Sequence, residues 1–232
     1  MSKGPISKAF LSLGFRSGKH SKTRGQFKGI INGRQATVFL RPVFKHSHFS
    51  GSNADEYLGH NIEIYLDMKV NTRLVIGPPI ALSDAVDNVL KSEAHEIENN
   101  SYKGLSIKTI DRDWAYELTS NREFQEIINT LFSGKDYTCK ALRLDPGVVF
   151  LFVMSSRNLI SNEMVRPWFA ALEKIAHIAE KQAPPTITAE PSALEVDART
   201  DRKNVKLIAV AIVIVFFAVI LGIVGLVLLL VL

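Results

Sequence analysis

Apolar and polar residues alternate along the chain in blocks that predict its elements. From Pro5 to Phe15, Ile6, Phe10 and Leu13 fall at i, i+4 and i+7 behind a first-turn proline, the spacing of a short amphipathic helix. Phe27–Ile31 and Gln35–Val43 flank Asn32-Gly33, a pair that tolerates positive φ at both central positions of a type I′ hairpin turn. A Ser/Gly/Asn/His-rich loop is predicted from Lys45 to His60. Ile62, Ile64, Leu66 and Met68 then alternate with polar neighbours, as in a half-buried strand. Asn71-Thr72 is expected to turn that strand back into Arg73–Ile76, which Gly77-Pro78-Pro79 ends.

Further along, Ser83–Lys91 reads as a short helix capped by Ser83, and Leu105–Ile110 as a strand. Asp111–Leu118 and Arg122–Phe132 read as helices. The second has Asn121 as its cap and Phe124, Ile127, Ile128 and Leu131 as one stripe, with Ser133-Gly134 as its stop. Thr138–Leu144 and Val148–Met154 form a hairpin around Asp145-Pro146-Gly147. Val148–Met154 is apolar throughout, which predicts a central strand buried on both faces. Asn162–Gln182 carries Val165, Trp168, Leu172, Ile175 and Ala179 on one side of a long helix.

Hairpins require antiparallel pairing. The expected fold class is therefore α+β: a mainly antiparallel sheet of about seven strands with helices on one face, followed by a linker and a single C-terminal transmembrane helix. The expected divisions are a flexible basic arm (1–25), an α+β cytoplasmic domain (26–182), a linker with a basic juxtamembrane flank (183–206) and the membrane helix (207–232).

Leu207–Leu232 holds only Leu, Ile, Val, Ala, Phe and two glycines. As a helix it would extend about 39 Å, against a hydrocarbon core of roughly 30 Å. Arg199, Arg202, Lys203 and Lys206 precede it, and lysine and arginine favour the cytoplasmic side. A single-pass, tail-anchored topology with the N-terminal domain in the cytoplasm is expected, with a bacterial inner membrane as its setting. The apolar segment carries no ionisable side chain for a proton or ion path.

Charge adds a partner to this picture. The net charge is +5, yet the first 54 residues carry ten Lys/Arg and no acid, leaving 18 basic against 23 acidic residues in the remainder. Such asymmetry points to anionic lipid for the arm. Lys3, Lys8, Arg16, Lys19, Lys22 and Arg24, together with Arg199, Arg202, Lys203 and Lys206, are the expected membrane-surface contacts. Nucleic acid is disfavoured, because the arm lacks interleaved aromatics.

Catalytic signatures are absent: there is no phosphate-binding glycine loop, nucleophile elbow or zinc-protease helix motif. No catalytic residue and no cofactor are assigned. His46, His48 and His60 are the metal candidates, although their Gly/Ser-rich setting and spacing match no standard site. Glu96, Glu98, Asp111, Asp113 and Glu117 gather around one strand and its helix, with Lys103, Lys108 and Arg112 interleaved as surface partners. Trp114 and Trp168 occupy helical core positions, and the single cysteine, Cys139, reads as a small core residue.

These features describe a non-catalytic interaction or scaffold module held at a bilayer, with a protein partner in or at the membrane. Two other roles fit the same pattern. One is an accessory subunit of a multisubunit membrane complex. The other is a small-molecule or lipid-binding domain with a pocket between sheet and helices.

Overall fold

A computed structural model describes residues 5–18, 25–46, 55–79, 94–156, 160–192 and 195. The expected helix at Ser83–Lys91 and the apolar segment Leu207–Leu232 lie outside these residues. Among the described residues, no helix is long and apolar enough to cross a membrane. The chain divides into two units, Met1–Glu190 and Pro191–Leu232. In the second, the Ser192 amide donates to the Glu195 carboxylate at 2.6 Å.

The first unit is an antiparallel α+β domain. Its elements are α1 (Pro5–Ser12), β1 (Arg16–Ser17), β2 (Gly25–Ile31), β3 (Arg34–His46), β4 (Asp55–Asp67), β5 (Leu74–Gly77), β6 (His95–Glu96) and β7 (Ser106–Thr109), then α2 (Arg112–Ser120), α3 (Arg122–Phe132), β8 (Thr138–Asp145), β9 (Val148–Ser156) and α4 (Asn162–Lys181). Among the described residues, nine strands form one sheet in the order β1-β2-β3-β4-β9-β8-β5-β7-β6, where about seven were expected. The two additional strands, β1 and β6, are two-residue edges, too short to show any periodicity in the sequence.

Both turn signals act as the residues dictate. Asn32 and Gly33 adopt φ of 46° and 83°, and Ile31 pairs with Arg34 around them. Asp145 pairs with Val148 around Pro146-Gly147, where Pro146 presets its φ and Gly147 takes a φ of 77°. β9, which carries the apolar run Val148–Met154, is the central strand of the nine. Val149, Leu151 and Val153 are fully buried among the helices' side chains. Phe150 points the other way, into an aromatic row with Tyr65 at 4.7 Å, and Tyr65 in turn meets Phe39 at 5.8 Å.

Three local expectations are corrected. First, Asn71-Thr72 does not turn β4 into β5. The Met68–Arg73 segment instead arches over the β8–β9 turn, with the Met68 amide donating to Gly147 O (3.0 Å) and the Gly147 amide to Val70 O (2.9 Å). The β8–β9 hairpin is thereby inserted between β4 and β5. Second, the Lys45–His60 stretch is not all loop, because β4 begins at Asp55 and His46 pairs with Asp55. Polar composition hid a strand whose backbone is satisfied by its long partner β3.

Third, residues of the expected arm and linker belong to the compact unit. On α1, Ala9 and Phe10 are buried in the same core as Phe27 and Phe169. Phe10 is thus turned inward rather than toward lipid. After α4, the Ala189 amide donates to Asn71 O, Thr72 Oγ1 to Ile187 O and Arg73 to Glu190 O, each at 2.9 Å. The segment through Glu190 is a strap bound along the end of the sheet.

An ion pair closes the domain at the same end. Arg34 binds Glu180 with two hydrogen bonds of 2.7 Å, and the Lys69 amide donates to Glu180 Oε1 at 2.8 Å. Both side chains are about four-fifths buried, at 20% and 18% exposed. Arg34 chiefly holds the Glu180 carboxyl below its ordinary value near 4.5, against an opposing effect of burial. Because the folded-state value is depressed, this stabilisation is complete above about pH 4.5 and fades as the pH falls below it. In acid titrations of unfolding, Glu180→Gln should lower stability at neutral pH and flatten its decline below pH 5. A decline as steep as the native one would show that Glu180 does not contribute to it.

Candidate functional site

The structure separates the histidine candidates. His46 pairs with Asp55 and His60 with Pro42, so His46 and His60 lie four positions apart along the ladder. That sets their backbones about 13 Å apart along the strand. His60 Nδ1 instead faces the Tyr57 hydroxyl in a short hydrogen bond, and burial pushes its pKa below the usual histidine value. His48 lies outside the described residues. Among the described residues, no three His, Cys, Asp or Glu side chains are placed to hold one ion.

The acidic neighbourhood also disperses. Glu96 accepts from Ser106 Oγ at 2.7 Å. Asp111 is 1% exposed and acts as the N-cap of α2, accepting from the Trp114 amide at 3.2 Å. Its other oxygen accepts from the Ile187 amide (2.8 Å) and Thr186 Oγ1 (3.0 Å) of the strap. Burial alone would raise this carboxyl's pKa. The hydrogen bonds from Ile187, Trp114 and Thr186 outweigh it and hold the group below the ordinary carboxylate range.

Of the expected membrane contacts, Lys8 and Arg16 are described, and both are exposed. Lys3, Lys19, Lys22, Arg24, Arg199, Arg202, Lys203 and Lys206 lie outside the described residues. Cys139 is 3% exposed, and burial pushes its thiol up. The native chain should therefore resist a thiol reagent at neutral pH and react fully once denatured. Labelling of the folded protein at the unfolded rate would contradict that burial.

Among the described residues, a concave feature suited to an apolar ligand lies on the helical side, between α3 and α4. Each helix commits one face to the core: Phe124, Ile128 and Leu131 from α3, and Val165, Trp168, Leu172 and Ile175 from α4. Beside those faces, Ala170 and Ala171 on α4 are too small to fill the space opposite Ile127 and Thr130. A groove of about 580 Å³ remains, with Leu131 and Trp168 among its lining. Pro167, inside α4, forms part of the wall and withdraws one N–H from the helix ladder.

The rim is charged but self-paired. Glu123 and Lys174 approach within 3.9 Å, and Arg122 binds Glu126 at 3.0 Å. At one end, Tyr137 stands edge-on to Trp168, with ring centroids 5.0 Å apart. Its ring lies against Gly134, where a Cβ would collide with it. The arrangement offers an apolar trough with a polar lip and no charged group on its floor. Sequence reading placed Trp168, Ile127 and Leu131 at core positions. It had no means to see the trough, because the gap is set by Ala170 and Ala171 meeting the second helix.

Fold and groove together define a nine-stranded antiparallel α+β domain with a cleft on its helical layer. No family model matches the sequence, and no curated protein matches it. One solved structure shares the fold. It is described as the crystal structure of the mycobacterial trehalose monomycolate transport factor A, TtfA. The likeness has a TM-score of 0.51 at 10% identity, covering 79% of this chain and 97% of that one. At that identity the match speaks for architecture alone.

Proposed function

We propose that this chain is a membrane-tethered, non-catalytic accessory factor in lipid handling, whose domain holds an alkyl chain between α3 and α4. The groove carries this reading. Its volume of about 580 Å³ falls within the roughly 300–1,000 Å³ common for small-molecule sites, and its lining is apolar with a few polar groups at the lip. The fold is shared with a protein named as a trehalose monomycolate transport factor, a likeness of architecture that agrees with this reading. Leu207–Leu232 supplies the attachment to a single bilayer, with the domain on the cytoplasmic side. The basic residues of both flanks, Lys8 and Arg16 among them, rest against anionic headgroups. A protein partner in or at the same membrane receives or delivers the lipid.

The test uses the full chain in nanodiscs and an alkyl probe bearing a photoreactive diazirine. Illumination should attach the probe to peptides of α3 and α4, and Ala170→Phe, which fills the groove from an exposed position, should abolish that attachment. Labelling confined to residues outside 122–137 and 162–174 would overturn the assignment. Extraction in mild detergent tests the partner: recovery of a second protein at fixed stoichiometry is expected, and a lone monomer would contradict an accessory role.

A further inference from the structure

We infer that the groove selects alkyl ligands with an uncharged headgroup, such as an acyl ester, over those ending in a free carboxylate. This inference rests on the lipid-holding role proposed above and names the chemistry it would serve.

Three observations carry it. The first is the balance of charge at the lip. Glu123, Glu126 and Lys174 line the groove, and Lys174 already has Glu123 beside it at 3.9 Å. Arg122 is likewise engaged by Glu126 at 3.0 Å. A ligand carboxylate at this lip would meet two carboxylates and compete with one of them for each cation. An uncharged headgroup meets no such opposition.

The second is the uncharged, buried aromatic end of the groove. Trp168 is 1% exposed and Tyr137 stands edge-on beside it at 5.0 Å, so this end offers a ligand no cation. An ester carbonyl can enter there without carrying charge into a buried position. A carboxylate would have to give up its hydration to do the same.

The third is the chemistry of the remaining polar groups. Thr130 Oγ1 donates to Glu126 O at 2.7 Å, which leaves its oxygen lone pairs to accept. Tyr137 adds a phenol whose pKa burial pushes up, so it stays neutral. Hydroxyls of this kind recognise hydroxyl and carbonyl groups and contribute no net charge.

The experiment compares two diazirine probes of the same chain length on the full protein in nanodiscs of zwitterionic lipid: a fatty acid, and its monoacylglycerol ester. At neutral pH the ester should reach half-maximal labelling of α3 and α4 at a roughly tenfold lower concentration. Glu126→Lys, a change at an exposed position, should shrink that ratio by favouring the acid. Equal labelling by the two probes, or preference for the acid, would overturn the headgroup inference while leaving the lipid-holding role intact. A ratio unmoved by Glu126→Lys would remove the rim charge as its cause and overturn the inference in this form. Failure of both probes to label the groove would overturn the lipid-holding role itself.

Discussion

Replacing Phe10 by alanine should destabilise the domain by about 3–5 kcal/mol, the range for removing a fully buried phenylalanine. Phe10 is 0% exposed, stacked on Phe27 at 5.4 Å, with the edges of Phe15 and Phe169 at 6.0 and 6.5 Å. Phe15 and Phe169 also meet at 5.1 Å, so the four rings form one cluster joining α1, β2 and α4. A cavity at its centre cannot collapse without moving α4. Domains of this size are stable by only about 5–15 kcal/mol, so the loss is a large share of the total. Urea unfolding followed by tryptophan emission measures it directly. The change also decides between two pictures of the N-terminus. A free basic arm would tolerate Phe10→Ala with no loss of stability, whereas an arm whose helix is part of the core would not.

Asp111→Ala should cost about 2–4 kcal/mol and release the strap. The substitution removes the N-cap of α2, which alone is worth about 0.5–2 kcal/mol. It also strands the Ile187 amide and the Thr186 hydroxyl, which both bond to Asp111 Oδ2. Bonds to a charged acceptor are worth about 1.5–3 kcal/mol each, and only part of that is lost because the strap can turn toward water. Hydrogen exchange distinguishes the two contributions. In the variant, the amides of Ile187 and Ala189 should exchange far faster while those of β9 keep the protection that global stability allows. An unchanged rate at Ile187 would show that the strap is held by Thr72 and Arg73 without help from Asp111. Acid should act in the same direction, since the depressed pKa of Asp111 means its contribution disappears as the pH falls below the ordinary carboxylate range.

The two substitutions concern segments near the two ends of the compact unit's sequence, and in both the sequence hides the packing that orders them. The spacing of Ile6, Phe10 and Leu13 predicts a helix but not its place in the core, and Pro184-Pro185 disguises the strap. Each segment is short and draws its order from the body it packs on. A helix of eight residues is marginal in water without such packing. The strap has no ladder of its own and relies on Asn71, Thr72, Arg73 and Asp111. Composition can report a flexible segment only when no surface elsewhere in the chain is waiting for it.

Local chemistry settled the elements that carry their own instructions. Asn32-Gly33 and Pro146-Gly147 fixed two turns, because their φ preferences leave few alternatives. Asn121 fixed the start of α3, with its side chain accepting from the Phe124 amide at 3.1 Å. The stripe Val165, Trp168, Leu172, Ile175 and Ala179 fixed the buried face of α4, and the unbroken apolar run of Val148–Met154 marked the strand that lies at the centre of the sheet. The tertiary structure alone decided what depends on distant residues meeting. It placed the β8–β9 hairpin between β4 and β5, since a crossing of Met68–Arg73 over Gly147 leaves no local trace. It parted His46 from His60 through the β3–β4 register. It also opened the groove, because two alanines on one helix become a cleft only where a second helix stands across from them.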